Sequence, residues 1–205
     1  LANDNKLKNM KTISTQSKNT TQNTKEYIIN TARSFFSKHD YVNVSMSDIA
    51  RELNITKAAL YYHFTSKAEI YKKVLEDVFN DLNLVINKVP SKIMADQKLS
   101  HLIKNYLDFG IKEKNLIKAF MFKVSSHDYR LVNQIIELRK QVITLIEPTI
   151  KNVLVSNKKY KKFNSRLLTS LLTSMMDGLL LEYSFCNKKI NSTKISNQIT
   201  TILLQ

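Results

Sequence analysis

The chain has 205 residues, 43% of them hydrophobic, so it can bury the core of one ordinary domain or of a small domain joined to a larger one. Two glycines, two prolines and no tryptophan argue against tightly turned β architectures and favour helices. The single cysteine, Cys186, excludes an internal disulfide and a cysteine metal cluster, and the formal charge of +15 makes a polyanionic partner the first expectation.

The first residues of the chain are predicted to form a disordered tail. Residues 1–21 are rich in Asn, Lys, Thr and Gln and poor in hydrophobic residues. They lack the apolar stretch of a secretory signal, and no apolar run in the chain reaches the ~18 residues that span a bilayer. We therefore expect a cytoplasmic protein. Helical spacing begins after residue 21 and is carried by Ile28, Ile29, Ala32, Phe35 and Phe36.

Two short helices separated by a turn are predicted over residues 45–64. Ser45 followed by Asp48 is a variant capping box that begins the first helix. Asn54 stands where a left-handed residue would end it, and Thr56 can cap the second. The spacing is typical of a helix-turn-helix motif, and its inward positions are Ile49, Ala50, Leu53, Ile55, Leu60 and Phe64.

A longer helix is predicted to follow this motif. Ser66 and Glu69 have the spacing of a Ser-x-x-Glu capping box. The pattern continues to about Lys88, before Pro90, and its apolar stripe contains Ile70, Val74, Val78, Leu82 and Val85.

The second short helix leaves an unusual set of side chains facing outward. Its two alanines would let a helix approach a groove closely, and a thymine methyl group could pack against them. Tyrosine hydroxyls and cations suit phosphate oxygens, which fix the register of a protein on DNA without reading its sequence. The outward residues are Lys57, Ala58, Ala59, Tyr61, Tyr62 and His63.

The stretch "YVNVSMSDIARELNITKAALYYHFTSKAEIYKKVL" resembles the DNA-binding region of the TetR family of bacterial transcriptional regulators. The similarity covers about residues 22–81, with Asn54 and Asp40 at positions where the family often has glycine. By position, the resemblance implies phosphate contacts for Ser45, Ser47, Thr56, Tyr61, His63 and Lys67. It places Lys57, Ala58, Ala59 and Tyr62 at or near base edges.

Other roles also fit the sequence of these side chains. A pair of tyrosines on a helix also fits half-buried packing, and His63 could be a hydrogen-bonded histidine at the edge of a core. Lys67 by itself is an ordinary solvated lysine.

The second half of the chain is predicted to be helical as well, over residues 94–112, 115–125, 128–155 with a bend near Pro148, 163–186 and 191–204. The segment 163–186 is apolar on more than one face. Such a helix must be buried against its own domain and against a second surface.

The resemblance implies what that second surface is. In the family, the last two helices pair with those of a second copy, and two recognition helices related by a two-fold axis read a palindromic operator. We therefore expect an all-α protein with a three-helix DNA-binding domain at 22–82 and a larger helical domain at 83–205. The larger domain would dimerise and bind an effector.

Effector binding in the second domain is likewise implied by the resemblance. Met and aromatic side chains adapt to varied apolar ligands, although each could equally be plain core. The candidates for the pocket are Tyr106, Phe109, Phe120, Met121, Phe122, Met175, Met176 and Tyr183.

Charge offers a further hint about that effector. Residues 1–88 carry 13 Lys and Arg against 9 Asp and Glu, whereas residues 89–205 carry 19 against 8. The basic second half suggests an anionic effector, such as a fatty acyl group or acyl-CoA. A composition rich in Lys, Asn and Ile explains the same excess.

Catalytic motifs are missing from the sequence. His39-Asp40 and His127-Asp128 resemble the His-Asp pair of helical metal-dependent phosphohydrolases, but four histidines without supporting spacing do not complete a metal site. There is no phosphate-binding glycine loop and no nucleophile elbow. We expect a DNA-binding repressor without metal or cofactor. The alternative is a DNA-binding regulator or architectural factor that lacks a small-molecule switch and answers to a protein partner.

Overall fold

The computed structural model describes residues 22–39, 41–90, 92–114, 116, 129–156, 162–186 and 189–204. Within these ranges the chain forms helices joined by short connections and contains no strand, which confirms the all-α expectation. The predicted disordered tail lies outside the described residues. None of the described helices is both long enough and apolar enough to cross a membrane.

The helices are α1 (22–38), α2 (Met46–Glu52), α3 (Lys57–His63), α4 (Lys67–Asn87), α5 (Ala95–Lys112), α6 (Tyr129–Ser156), α7 (Ser165–Cys186) and α8 (Ser192–Leu204), with a short 3-10 turn at Tyr41–Asn43 between α1 and α2.

The chain divides into two compact units. The N-terminal unit contains α1, α2, α3 and the start of α4 as far as Val74, and the C-terminal unit contains α4 from Leu75 onward together with α5 to α8. The division falls inside α4, which also contains the predicted boundary at residue 82. A single continuous helix therefore belongs to both units.

The turn between α2 and α3 forms as the sequence predicts. The Asp48 amide donates to Ser45 Oγ at 3.1 Å and the Ser45 amide donates to Asp48 Oδ2 at 2.9 Å, which confirms the capping box. Asn54 has a φ of 57°, so its left-handed conformation is confirmed. The Thr56 hydroxyl accepts from the Ala59 amide at 3.1 Å and caps α3.

The start of α4 differs from the prediction in one bond. Ser66 Oγ accepts from the Glu69 amide at 3.2 Å, as a cap should. The Glu69 carboxylate, however, accepts from the amide and hydroxyl of Thr65, at 2.7 and 2.8 Å, and not from the Ser66 amide. The prediction that Glu69 accepts from the amide of the cap residue is therefore wrong by one residue. The carboxylate accepts from Thr65 because Thr65 offers two donors to the same oxygen.

The C-terminal unit is built around α5. Helix α5 packs against α6, α7 and α8, and α6 packs against α7. Helix α6 continues through Pro148, which lies inside it. The α5 residues that face the core are buried and mostly apolar: Leu99, Leu102, Ile103, Tyr106, Leu107 and Phe109.

Helix α7 has one buried apolar face and one exposed apolar face. Leu172, Met176 and Leu180 are at most 3% exposed and face the core of the unit. On the other side lies the outer α7 face, which we define as Leu167, Leu171, Met175, Gly178 and Phe185. Its large side chains are 45% to 60% exposed. Spacings of three, four and seven keep these five residues on one side of the helix.

Candidate nucleic-acid interface and ligand cavity

Helix α3 presents a continuous exposed surface, here called the α3 face, made of Lys57, Ala58, Ala59, Tyr61 and Tyr62. The two tyrosines are 45% and 80% exposed, and the other three residues are also exposed. The opposite side of the helix is fixed by Leu60, which is fully buried. The tyrosines therefore do not pack in the core, which removes the packing alternative for Tyr62 in particular.

A lysine and a tyrosine of the α3 face are paired. Lys57 Nζ lies 5.9 Å from the centre of the Tyr61 ring, one helical turn away. This distance is within the range of a cation–π interaction. The ring therefore restricts the position of the ammonium group on the exposed side of α3.

The hydroxyl groups around the α3 face differ in what they can still donate. Ser45 Oγ donates to Asp48 Oδ2 at 2.6 Å and also accepts from the Asp48 amide. The bond from the Ser45 hydroxyl, and after it the bond from the Ser45 amide to the same carboxylate, lower the pKa of Asp48. Thr56 uses its oxygen only as an acceptor in the cap, so its hydrogen is available to a phosphate oxygen. Ser47 is exposed in the first turn of α2.

His63 stands at the end of α3 and is partly buried. Its ring meets the Tyr62 ring edge-on, with the centres 5.0 Å apart. The Nδ1 atom is shielded from solvent and has no hydrogen-bond partner among the described residues. Any contact between His63 and a phosphate would therefore have to come from Nε2.

Lys67 connects the start of α4 to the segment before α2. Its ammonium group donates to the Val44 carbonyl at 2.7 Å, and its side chain is partly buried. Burial lowers the pKa of Lys67 below its ordinary value. This lysine is therefore held beside Ser45 and is not the loosely solvated residue that the sequence alone allowed.

The C-terminal unit contains a cavity of about 230 Å³. Helices α4, α5, α6 and α7 each contribute to its wall. The lining residues are mostly apolar: Val78, Phe79, Leu82, Tyr106, Phe109, Gly110, Ile135, Arg139, Asp177 and Leu180.

Three of the lining residues form a polar network. The Tyr106 hydroxyl donates to Asp177 Oδ1 at 2.6 Å, and an Arg139 guanidinium nitrogen lies 2.5 Å from Asp177 Oδ2. Burial, together with the neighbouring Asp177 carboxylate, raises the pKa of the Tyr106 phenol well above its ordinary value. The phenol therefore keeps its proton and acts as a donor at neutral pH.

The predicted pocket residues separate into three groups. Tyr106 and Phe109 line the cavity. Met175 lies on the outer α7 face, and Met176 and Tyr183 are not among the lining residues. The remaining candidates, Phe120, Met121 and Phe122, lie outside the described residues. The polar network was missed because selecting by residue type favoured Met and aromatic side chains.

Gly110 allows α5 and α7 to approach each other beside the cavity. A Cβ atom at residue 110 would overlap the side chain of Leu180, which is itself buried. We expect Gly110→Ala to lower the free energy of unfolding by about 1–3 kcal/mol, measured by chemical denaturation. The same change should cost less in a Leu180→Ala background. Equal costs in both backgrounds would show that the Leu180 contact is not the cause.

Residues 28–74 match a family model described as bacterial regulatory proteins, tetR family. The matched range contains all of α2 and α3, and with them the whole α3 face.

Among curated proteins, the chain is similar to the biofilm operon icaADBC HTH-type negative transcriptional regulator IcaR of two staphylococci. Against that of Staphylococcus aureus strain Newman it is 44% identical over 99 residues, which cover 47% of this chain and 52% of the relative. Against that of Staphylococcus epidermidis it is 45% identical over 56 residues, or 27% of this chain and 30% of the relative. The chain thus spans about half or less of the length of these relatives.

Solved structures share the fold over most of the chain. The transcriptional regulator FadR from Bacillus subtilis, in complex with stearoyl-CoA, aligns with a TM-score of 0.74 at 17% identity and covers 87% of this chain and 96% of its own. The TetR family transcriptional regulator PfmR from Thermus thermophilus aligns with a TM-score of 0.69 at 18% identity and covers 86% and 96%. At these identities the likeness concerns the fold alone.

Proposed function

Because this chain belongs to the TetR family of bacterial regulatory proteins, we propose that it is a homodimeric, sequence-specific DNA-binding repressor that a small-molecule effector releases from its operator. The observation that carries the proposal is the α3 face, whose lysine, two alanines and two tyrosines stand exposed on a helix anchored by Leu60. The curated relatives reported above are regulators of transcription, so the expectation that the chain is not an enzyme is confirmed.

In this proposal the α3 face lies in the major groove. Ala58 and Ala59 allow the helix to approach the base edges, and Lys57 and Tyr62 reach them. Phosphates on either side are held by Thr56, whose hydroxyl hydrogen is unused in the cap, and by Tyr61. The predicted phosphate contacts from Ser47, His63 and Lys67 extend the same footprint, whereas the amide and hydroxyl of Ser45 already donate to Asp48 and would have to leave it to reach a phosphate.

The partner in dimerisation is a second copy of the chain. The outer α7 face supports this because it exposes four large apolar side chains in one row. A Cβ atom added at Gly178 would meet nothing within 4 Å in the single chain, so a second helix could approach closely there. Two α3 faces related by a two-fold axis would then meet a palindromic operator.

Effector control is proposed to act through α4. Val78, Phe79 and Leu82 of this helix line the cavity, and the same helix begins at Lys67, beside Ser45. A ligand that fits the cavity better in one position of α4 shifts the population toward that position. It weakens DNA binding if the favoured position is incompatible with the operator.

The first test is a fluorescence-anisotropy titration with the promoter DNA beside the protein's own gene and with a scrambled duplex, across a salt series. We expect a preference of about 10³-fold or more for the promoter and a log–log salt slope of several units. Equal and weak binding to both duplexes would favour an architectural factor over a specific repressor.

Substitutions on the α3 face should separate two kinds of DNA contact. Tyr61→Phe removes one hydroxyl and should weaken binding to operator and scrambled DNA by the same factor, because a phosphate contact carries no sequence information. Lys57→Gln and Tyr62→Ala should change the preference at particular base pairs by about 1–3 kcal/mol. Anisotropy titrations against single-base operator variants measure both effects.

The matched control for Tyr61→Phe is Tyr129→Phe, since Tyr129 is 76% exposed at the start of α6. It should leave both affinities unchanged. Losses of the same size on operator and scrambled DNA for all three α3 variants would contradict the division of roles.

A further inference from the structure

We propose that the cavity of the C-terminal unit selects uncharged, ring-sized ligands that carry one hydrogen-bond acceptor, and that Arg139 and Asp177 set this preference. The inference rests on the proposed function in one respect, since it specifies the chemical class of the effector. Whether the cavity binds such ligands can be measured without DNA.

The size of the ligand follows from the volume of the cavity. At about 230 Å³ it exceeds the roughly 150 Å³ of an engineered apolar cavity that binds benzene. Its walls consist of aliphatic and aromatic side chains, among them Val78, Phe79, Leu82, Phe109 and Ile135. A single ring with a short substituent fills such a space and buries its apolar surface there.

The charge of the ligand follows from the ion pair in the wall. Arg139 and Asp177 are the charged residues among the described lining residues, and each neutralises the other at 2.5 Å. Tyr106 stays neutral and occupies the second oxygen of Asp177. A charged ligand would therefore enter a site whose charges already cancel, and it would pay the cost of desolvation without a counter-ion.

The acceptor on the ligand follows from the donors that remain. The Tyr106 hydroxyl hydrogen is donated to Asp177, and one guanidinium nitrogen of Arg139 contacts the same carboxylate. A guanidinium group has five N–H bonds, so Arg139 keeps donors that a carbonyl or ether oxygen on the ligand can accept. Each oxygen of Asp177 already has one of these two neighbours as a partner, so a ligand that only donates would have to share an occupied oxygen.

An uncharged ligand differs from the anionic effector that the basic second half of the sequence suggested. The excess of Lys and Arg in residues 89–205 does not extend to the described wall of the cavity, where one positive and one negative side chain are found. The charge that a ligand meets is set by these neighbours, because exposed charges farther away are screened by salt.

The test compares three probes that share one ring and the same number of non-hydrogen atoms: acetophenone, benzoate and 1-phenylethylamine. At pH 7 they are neutral, anionic and cationic. Ligand-observed NMR titration of the full chain, free of DNA, gives their affinities. We expect acetophenone to bind about tenfold or more tightly than either charged probe.

Two variants that each remove one charge should then change the preference. Asp177→Asn keeps an acceptor for Tyr106 and leaves Arg139 without its counter-charge, so benzoate should gain about tenfold and become the tightest probe. Arg139→Gln leaves Asp177 uncompensated, so 1-phenylethylamine should gain instead. Agreement of either folded variant with its expected ranking supports the inference, and circular dichroism establishes which variants are folded.

Two outcomes would overturn the inference: benzoate binding most tightly to the unaltered chain, or no measurable binding by any of the three probes. An unchanged ranking in both variants would show that Arg139 and Asp177 do not set the preference. Operator binding is measured separately on the same preparation. Its absence would contradict the proposed repressor function and leave the ligand ranking as it stands.

Discussion

Replacing Leu171 by glutamate should convert the protein into a monomer and lower its operator affinity by about 10²–10⁴-fold, the gain expected from joining two binding modules. Leu171 is 59% exposed at the middle of the outer α7 face. In the proposed dimer, the glutamate would be buried between two apolar helices without a partner charge. Sedimentation velocity gives the oligomeric state, and anisotropy gives the affinity for the palindromic operator and for an isolated half-site.

The control for this change is Leu84→Glu, which places the same charge on α4 at a leucine that is 63% exposed. It should remain dimeric and bind the operator normally. Affinity for the half-site should be equal in the two variants, because neither alters the α3 face. A dimeric Leu171→Glu protein would show that the outer α7 face is not the interface.

Leu60→Ala should lower the free energy of unfolding of the N-terminal unit by about 2–5 kcal/mol and abolish operator binding, although it removes no DNA-facing side chain. Leu60 is fully buried and anchors α3 from beneath. The cavity left by truncation removes the packing that holds the α3 face in place. Urea denaturation followed by circular dichroism gives the change in stability.

Leu84→Ala is the matched comparison for Leu60→Ala, since it deletes the same atoms from a largely exposed leucine. Its effect on stability should be within about 0.5 kcal/mol. If Leu60→Ala and Leu84→Ala unfolded at the same urea concentration, burial beneath α3 could not be what positions that helix.

The local structure of the N-terminal unit was predictable because its signals are local. A capping box needs only Ser45 and Asp48, three residues apart, and a left-handed helix end needs only Asn54. The same reasoning went wrong at α4, where the Glu69 carboxylate can accept either from the Ser66 amide or from Thr65. Thr65 offers a hydroxyl and an amide, and sequence spacing does not weigh two donors against one.

The cavity was less predictable because its wall is assembled from four helices. Tyr106, Arg139 and Asp177 are far apart in the chain and meet only after α5, α6 and α7 pack. Neighbouring residues also face in different directions, as Met175 is 45% exposed whereas Met176 is completely buried. Residue type alone does not distinguish these two methionines, and the periodicity of α7 does so only when its buried face is known.

The continuity of α4 has a mechanical consequence. A helix of 21 residues is about 30 Å long, so a tilt of only about 5° about one end moves the other by about 2.6 Å. The side chains of α4 that line the cavity lie more than two turns from Lys67, toward the C-terminal end of the helix. If a ring-sized ligand shifted the cavity-lining part of α4 by a fraction of the helical pitch, Lys67 would move by a distance comparable to the length of its hydrogen bond to the Val44 carbonyl.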